Sequence, residues 1–392
     1  MKQLYDEDSF LFEFEATVTA YHYDEEKKLH KVCLDQTAFF PEGGGQPADQ
    51  GFFYLIKDKK EGAISVLDVQ KEGESIFHHL SSAVSVGEKI HGSVNQARRW
   101  DFMQQHSGEH IFSGLVHRHF GADNIGFHLG LEEMTLDFNQ TLSLAQLRFI
   151  EAEANQAIWN NLTIEASYPD EETLQSLDYR SKLDLTDNIR IVSIPGYDIC
   201  ACCAPHLKNT GQIGLLKVTD VSSHRGGVRV TVLCGKRALK DYTNKQDNIF
   251  SISTTLSVKQ NDAAFGVEKI KEELFSYKEK THILETKLLA QKVKNIPSSA
   301  NSEHIILFTE PASEIAIRNV INELMRDCKG YVAVFWGDDH KGYRYLIGSN
   351  SLDCRKINEK LRELFSAKGG GKPVMVQGSV TACQKDLEVL FS

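Results

Sequence analysis

Two short motifs that each carry a pair of possible metal ligands constrain this chain more than any other feature. HSGEH places His106 and His110 four residues apart, and CCAPH does the same for Cys202 and His206. Side chains four apart on a helix lie on one face, about 5–6 Å from each other, so both can hold one ion. Three imidazoles and one thiolate form a set that zinc prefers over magnesium or calcium. The sequence therefore predicts one Zn²⁺ site per chain, built from two distant segments.

Three cysteines compete for the sulfur position in this site. Cys200, Cys202 and Cys203 stand together among 8 cysteines, which are too few for a disulfide scaffold and here too close for separate disulfides. Either a closed structural site or an open catalytic site is compatible with these ligands. HSGEH also fits the HxxEH order of inverted zinc peptidases, in which Glu109 would be the general base. That interpretation requires a carboxylate ligand from a downstream helix and gives Cys202 no role.

A glycine-rich loop is the second chemical signal. The segment TAFFPEGGGQPADQG, residues 37–51, contains two prolines and a glycine triplet, which exclude regular structure. Consecutive glycines let the backbone approach a ligand and present N–H groups to a phosphate, a ribose or a reacting carbonyl oxygen. A plain hairpin turn is the alternative interpretation. The absence of a following Lys-Ser/Thr pair excludes a Walker loop.

Hydrophobic periodicity predicts an α+β fold whose first half contains two domains. Short strand-like runs separated by turns predict a small β-barrel-like domain over residues 1–93. A helical pattern from Asn95 to His119, with Gly121 as its stop, is followed by mixed helices and strands. This pattern predicts an α+β, zinc-containing domain over residues 94–243.

The second half of the chain predicts a long helix and a separate α/β domain. Apolar residues spaced alternately by three and four predict a long helical or coiled segment over residues 244–297, which Pro297 ends. A βαβ-like rhythm follows over residues 298–392, with residues 368–373 as a loop. The helical segment or this last domain is a candidate surface for a homodimer.

Composition limits the partners of the chain. Its 392 residues have 41% hydrophobic and 25% charged content, which is typical of globular proteins. No apolar run reaches about 18 residues and the N-terminus is acidic, so we expect a cytoplasmic protein without a membrane segment. A formal net charge of −10 argues against binding nucleic acid by bulk charge. Any such contact would require a local basic face, such as residues 355–372.

Taken together, the motifs resemble those of the AlaX-type alanyl-tRNA editing proteins, which are free-standing relatives of the editing domain of alanyl-tRNA synthetase. The matching segments are FFPEGGGQPADQG, MQQHSGEH, NIGFHLG and a CxxxH followed by NTGQIG, in this order within residues 1–243. The helical segment and the C-terminal domain resemble the long AlaX form, which keeps the DHH-associated domain of the synthetase. The resemblance implies a trans-editing hydrolase that deacylates Ser-tRNA(Ala), with Gly-tRNA(Ala) as a further candidate substrate.

The resemblance also assigns roles to individual residues. It places the zinc ligands at His106, His110, Cys202 and His206, the glycine-rich loop at Gly43, Gly44 and Gly45, amino-acid discrimination at Thr37, and part of the pocket lining at Gln105. The family's usual Cys-Gly-Gly-Thr-His is Cys202-Cys203-Ala204-Pro205-His206 here, so the ligand spacing is kept while two glycines and a threonine hydroxyl are lost.

The tRNA partner requires basic side chains near the site or in the last domain. The candidates are Arg98, Arg99, Lys236, Arg237, Arg355, Lys356, Lys360, Arg362, Lys368 and Lys372. Two other functions stay open. An HxxEH-type zinc metallopeptidase would depend on Glu109, and a non-catalytic tRNA-binding zinc protein would not need the glycine-rich loop.

Overall fold

A closed six-stranded barrel forms the first part of the chain. The computed structural model describes residues 1–26, 28–56, 62–181, 189–294 and 303–391. The first elements are β1 (Lys2–Gln3), α1 (Leu4–Glu7), β2 (Glu13–Asp24), β3 (Leu29–Leu34), β4 (Gln36–Thr37), β5 (Gly51–Leu55), β6 (Ile64–Glu72), β7 (Ser75–Leu80) and β8 (Lys89–Val94). The barrel order is β2-β3-β7-β6-β5-β8, and β1 pairs in parallel with β4 outside it. The predicted barrel is therefore confirmed.

A long central helix follows the barrel and packs against mixed sheets. The elements are α2 (Gln96–Phe120), β9 (Asn124–Leu129), β10 (Met134–Phe138), α3 (Leu144–Trp159), β11 (Glu165–Ser167), α4 (Glu171–Ser176), β12 (Ile191–Ile194), β13 (Asp198–Ala201), β14 (Leu216–His224), β15 (Gly227–Cys234) and α5 (Gly235–Leu256). One sheet has the order β14-β15-β10-β9 and the other β11-β12-β13. The mixed α+β class is thus confirmed.

Helix α2 begins and ends at residues that cap it, Asn95 and Gly121. The Asn95 side chain accepts a hydrogen bond from the Arg98 N–H, which satisfies one of the unpaired amides at the helix start. Gly121 ends the helix at φ +62°, a left-handed conformation that costs glycine little. Between these caps, residues 102–116 are all buried. Their burial makes α2 the central element of its unit, because side chains on every face contact neighbouring elements.

The C-terminal part contains one long helix and a five-stranded sheet. Its elements are α6 (Ala263–Lys294), β16 (Ile305–Thr309), α7 (Glu314–Leu324), β17 (Val332–Asp338), β18 (Gly342–Gly348), α8 (Cys354–Phe365), β19 (Lys368–Lys372), β20 (Met375–Val380) and α9 (Gln384–Leu390). The sheet order is β16-β17-β18-β20-β19, in which β16 and β17 are parallel, as in a βαβ unit, and the other pairs are antiparallel. The predicted long helix is present as α6.

The predicted loop at residues 368–373 is wrong, because residues 368–372 form strand β19. Gly369 pairs with Gly378 and Gly371 with Val376 on β20. A Cβ at Gly369 would collide with the Tyr345 hydroxyl, so glycine here permits close strand packing. A glycine triplet alone predicts a loop. Here the triplet forms a strand because it pairs with β20.

The chain divides into two compact units, residues 1–248 and 249–392. The predicted boundary at residue 243 falls inside α5, and the predicted stop at Pro297 lies outside the described residues. In the described part of the chain, no helix is both long and apolar enough to cross a membrane.

Candidate metal centre

The two predicted ligand pairs converge in the first unit. Helix α2 carries His106 and His110, and the segment that follows β13 carries Cys202 and His206. Their four ligand atoms all lie within 4.8 Å of one another. Cys202 Sγ is 3.6 Å from His106 Nε2 and 3.4 Å from His206 Nε2. Tetrahedral zinc bonds of about 2.0–2.3 Å separate neighbouring ligand atoms by about 3.6 Å, so this donor set fits zinc.

Only one of the two pairs lies on a helix. Cys202 and His206 belong to an irregular segment, which Arg190 holds in place. The buried Arg190 guanidinium donates from Nη1 to the carbonyl oxygens of Cys202, at 3.0 Å, and Ala204, at 2.9 Å. The predicted helical spacing of this second pair is therefore wrong, although its two side chains still reach one site.

Each imidazole has an outer hydrogen-bond partner at Nδ1. His106 donates to Gln46 Oε1 at 2.9 Å, His110 to Asp198 Oδ2 at 2.8 Å, and His206 to Ser107 Oγ at 3.1 Å. Outer partners of this kind are usual at metal sites, because they fix the ring orientation and leave Nε2 to bind the ion. All three Nε2 atoms consequently belong to the cluster.

Electrostatics favour the ligand forms of two of the four residues. Burial raises the pKa of the Cys202 thiol, but its electrostatic interactions and hydrogen bonds with the surrounding histidines outweigh burial and hold this pKa well below its usual range. Burial lowers the pKa of His206 to about 3, so its ring is neutral. A thiolate and a neutral imidazole are the forms that bind metals.

His110 differs from the other two histidines. Burial lowers its pKa, but the hydrogen bond to the Asp198 carboxylate raises this pKa well above the ordinary histidine value. Asp198 in turn has a lowered pKa, since hydrogen bonds from His110 and Arg180 outweigh its burial. His110 must therefore release a proton when its Nε2 binds a metal.

The two neighbouring cysteines occupy different places. Cys200 lies with His110 and Asp198 in a second group of possible ligands, outside the four-residue cluster. Cys203 lies beside the glycine-rich loop. Burial raises the pKa of each of these two thiols to about 11, so both are protonated near neutral pH. Among the three cysteines, Cys202 therefore has the geometry and charge of a ligand.

The glycine-rich loop is a tight turn beside the cluster. Gly43 and Gln46 exchange backbone hydrogen bonds, and the residues between them, Gly44 and Gly45, have φ values of +58° and +80°. Positive φ at both central residues is typical of a type I′ turn. Gly44 and Gly45 are exposed, and within the described residues their N–H groups find no acceptor. The loop is thus a hairpin turn that still has two amides available to a ligand.

Comparisons with known proteins show what the chain is similar to. Residues 189–230 match the family model described as threonyl and alanyl tRNA synthetase second additional domain, and residues 5–98 match the model described as tRNA synthetases class II (A). Alanyl-tRNA editing protein Aarsd1 of Danio rerio is 25% identical over 366 residues, which cover 91% of this chain and 86% of that protein. Aarsd1 of Rattus norvegicus is 25% identical, with 92% and 86% covered.

The resemblance to the alanyl-tRNA editing proteins is confirmed. Alanine–tRNA ligase of Ignicoccus hospitalis is also similar, with 29% identity over 95% of this chain and 40% of the ligase. The chain thus spans less than half of this ligase but most of the editing proteins. Among solved structures, the C-Ala domain of Aquifex aeolicus alanyl-tRNA synthetase matches 23% of this chain and 90% of its own, with 17% identity and a TM-score of 0.20.

Thr37, which the resemblance to alanyl-tRNA editing proteins associates with discrimination, is fully buried. Its hydroxyl donates to His78 Nε2 at 2.8 Å and accepts from the Phe39 N–H at 3.1 Å. His78 Nδ1 faces the Val32 carbonyl oxygen at 3.4 Å, which assigns the ring proton to Nδ1. A substrate hydroxyl would have to enter this existing network.

Gln105 does not lie among the groups that contact the cluster. Its Nε2 donates to the Cys234 carbonyl oxygen at 2.9 Å, and its Oε1 accepts from the Cys234 N–H at 2.8 Å. These two bonds tie α2 to the end of β15. The prediction that Gln105 lines the pocket is corrected here, and Gln46 is the glutamine that contacts a ligand.

Three of the arginines predicted to bind tRNA are engaged inside the fold. Arg99 has no exposed surface, and its guanidinium pairs with the buried carboxylate of Asp49, so its assignment to tRNA binding is wrong. Arg237 is half-buried and makes a two-pronged pair with Asp101. Arg98 is also half-buried and donates to the Ala48 carbonyl oxygen at 3.1 Å.

The other predicted basic residues are exposed. Lys236 lies in the first turn of α5, while the remaining six lie on α8 and β19, namely Arg355, Lys356, Lys360, Arg362, Lys368 and Lys372. We call these six residues the C-terminal basic face. Arg355 pairs with Asp353 and Arg362 donates to the Gly369 carbonyl oxygen, so the four lysines have the more available charges.

Glu109 is buried, and hydrogen bonds from α2 and β9 hold its carboxylate. Its Oε1 accepts from Ser113 at 2.8 Å and from Asn124 at 2.6 Å, and its Oε2 lies 3.8 Å from His110 Nε2. The four-residue cluster contains no carboxylate ligand within the described residues. The site therefore lacks the ligand set that a peptidase of the HxxEH type requires.

Sequence reasoning missed the outer partners of the ligands. Gln46 directly follows the glycine triplet, so its position beside the site was a signal available in the sequence. Asp198 lies just before the second motif and Arg190 lies 12 residues before Cys202, but neither belongs to a recognisable pattern. Their roles depend on how β12 and β13 pair.

Proposed function

We propose that this chain is a trans-editing hydrolase that deacylates mischarged alanine tRNA at a zinc centre. Ser-tRNA(Ala) is the expected substrate, and Gly-tRNA(Ala) is the second candidate. One observation carries the proposal: three imidazoles and a thiolate converge beside an exposed turn that has two available amides. The two relatives whose printed names are alanyl-tRNA editing protein support it, because the match covers most of both chains.

The proposed reaction requires little acid–base catalysis by protein side chains. An ester between an amino acid and a ribose hydroxyl is already activated, so hydrolysis needs a positioned water and a stabilised oxyanion. The amides of Gly44 and Gly45 are the proposed donors to the developing oxyanion or to the terminal ribose. A bound zinc ion would supply Lewis acidity that polarises the carbonyl group or holds the α-amino group.

The ligands themselves are held for this role by the protein. Asp198 and Ser107 fix two of the three rings, and Arg190 fixes the segment that carries Cys202 and His206. Rigid ligands on separate elements keep the reacting ester in one geometry, which lowers the entropic part of the barrier. In this proposal tRNA is bound by the C-terminal basic face and by Lys236, which have exposed cationic side chains.

The test is amino-acid release from Ser-tRNA(Ala) by the wild type, by His106→Ala and by Glu109→Gln, with zinc content measured in each. We expect His106→Ala to lose zinc and at least a hundredfold in rate, because a metal ligand is removed. Glu109→Gln should keep most of the rate. Loss of activity with Glu109→Gln at full zinc content, together with cleavage of peptides by the wild type, would instead support the peptidase.

A further inference from the structure

The two polar atoms of the Gln46 side chain have different surroundings. The oxygen faces the candidate ligand His106, and the nitrogen has no hydrogen-bond partner among the described residues. Gln46 Oε1 lies 2.9 Å from His106 Nδ1, and the residue has no exposed surface. Within the described residues, its Nε2 is buried and has no hydrogen-bond partner. Buried amides without a partner are rare in folded proteins, so this one requires an explanation.

The orientation of the carboxamide follows from what His106 must do. If Nε2 of His106 is to bind a metal, the proton of the neutral ring must reside on Nδ1, and Nδ1–H requires an acceptor. Only the oxygen of Gln46 can accept. The reversed amide would donate to Nδ1 and leave the ring proton on Nε2, which faces Cys202. The unpaired Nε2 of Gln46 is therefore the consequence of holding His106 in its ligand form.

An unpaired buried donor lowers the stability of the fold, and a hydrophobic side chain of similar size would avoid this loss. Groups that reduce stability without a structural gain are concentrated at functional sites. The backbone of Gln46 also closes the glycine turn through its two hydrogen bonds with Gly43. The same residue thus connects the turn with a ligand of the cluster.

We infer that Gln46 is a positioning residue, which fixes His106 in its metal-binding form and sets the glycine turn relative to the metal centre. This inference rests on the metal centre of the proposed function. Its Oε1 orients the His106 ring, whereas its unpaired Nε2 lowers the stability of the fold. Asp198 provides the analogue within the same site, since a carboxylate oxygen holds His110 in the same way.

Two variants separate positioning from a merely structural role. Gln46→Met removes both amide atoms at similar volume, whereas Gln46→Glu keeps an acceptor for Nδ1–H and removes the unpaired donor. We expect Gln46→Met to weaken zinc binding by about 10–100-fold, the range typical of lost outer partners. The melting temperature of metal-free Gln46→Met should equal or exceed that of the metal-free wild type. Gln46→Glu should restore zinc affinity to within about threefold of the wild type or better.

Zinc affinity is measured by competition with a chromophoric chelator, and the melting temperature by circular dichroism after metal removal. Unchanged affinity in Gln46→Met would overturn the inference while leaving the metal centre intact. A clear fall in the metal-free melting temperature of this variant would assign Gln46 a structural role and also overturn it. A wild type that binds no zinc would instead overturn the proposed centre, and this role with it.

Discussion

The Thr37 hydroxyl is buried inside the barrel, where it is already hydrogen-bonded to His78. Serine differs from alanine by one hydroxyl, so a site that hydrogen-bonds this group leaves its own polar atoms unpaired when alanine enters. The Thr37 hydroxyl already has one donor and one acceptor in the barrel. Discrimination at this residue would therefore depend on exchanging the bond to His78 for one to the substrate.

Replacing Thr37 by Val keeps its shape and removes the hydroxyl. We expect Thr37→Val to hydrolyse Ala-tRNA(Ala) at a rate closer to that for Ser-tRNA(Ala), because the penalty against alanine disappears. Thr37→Ser keeps the hydroxyl and is the matched control. Single-turnover rates on the two tRNAs give the selectivity directly. The same selectivity in Thr37→Val and the wild type would remove Thr37 from discrimination.

His78 predicts a pH dependence of stability. Burial lowers the pKa of His78 to about 4, whereas the unfolded chain has the ordinary value near 6.5. The unfolded state therefore takes up a proton as pH falls from about 6.5 to 4, and the folded state does not. Stability is lost over this window, by about 2 kcal/mol between pH 7 and pH 5.

The pH effect is tested by urea unfolding at pH 7 and pH 5 for the wild type and His78→Gln. We expect the variant to lose about 2 kcal/mol less than the wild type between the two values, whatever its absolute stability. His22→Gln, which changes an exposed histidine on β2, is the matched control. Equal losses in His78→Gln and the wild type would mean that this ring does not drive the acid sensitivity.

At the scale of elements, the glycine turn connects the barrel to the metal centre, and its two central residues are not equivalent. An added Cβ on Gly45 would lie 2.6 Å from Phe127 Cδ1, and the Phe127 ring is 4.9 Å from that of His106. The same atom on Gly44 would meet only Cys203 Sγ, at 3.8 Å. Both glycines have positive φ, so adding a side chain carries a similar backbone penalty at each position.

This difference makes Gly44→Ala a control for Gly45→Ala. Gly44→Ala should cost about 1–2 kcal/mol from the backbone alone. Gly45→Ala should cost about 1–3 kcal/mol more and should also weaken zinc binding, because displaced Phe127 presses on His106. Urea unfolding and chelator competition measure the two effects. Similar zinc affinities in the two variants would show that the turn and the metal are independent.

The elements that were predictable from sequence are those whose signals are local. Asn95 and Gly121 bracket α2, and both were read correctly, because capping depends on the residue itself. Strand β19 was missed, since its glycine triplet becomes a strand only through pairing with β20. Gln105 was misassigned for a related reason: adjacency to His106 in sequence does not indicate which way a helical side chain points.

The same division applies to the candidate site. The convergence of His106, His110, Cys202 and His206 was predictable because residue type and spacing are visible in sequence. The outer partners are visible only in the fold, where Asp198 reaches His110 from β13. The sequence predicts a surface cation at Arg99, whereas the structure places the buried Asp49 carboxylate against it.

For the molecule as a whole, the proposed tRNA partner has the same sign of charge as the chain. The net charge is −10, whereas α8 and β19 present the exposed cations of the C-terminal basic face. Phosphate contacts release counterions, so binding through this face should weaken steeply with salt. The apolar residues Val267, Ile270 and Leu274 on α6 are exposed, and the predicted homodimer through this helix or the last domain stays a prediction.

Neutralising the four lysines Lys356, Lys360, Lys368 and Lys372 to Gln tests this face. We expect weaker tRNA binding at low salt and a salt dependence that is shallower by about three units of slope. The rate on saturating Ser-tRNA(Ala) should stay within about twofold, because the metal centre is unchanged. The control replaces Lys269, Lys271, Lys278 and Lys280 on α6 by Gln. Equal effects of the two sets on tRNA binding would contradict a specific role of the C-terminal basic face.

In the proposed function, the four-ligand centre removes the wrong amino acid from alanine tRNA. The most direct measurement is the single-turnover deacylation of Ser-tRNA(Ala) and Ala-tRNA(Ala) by the zinc-loaded wild type, and again after chelation and after zinc is restored. We expect rapid loss of serine, slow loss of alanine, arrest by the chelator and recovery with zinc. Zinc bound at this centre without hydrolysis of either ester would contradict the proposed function.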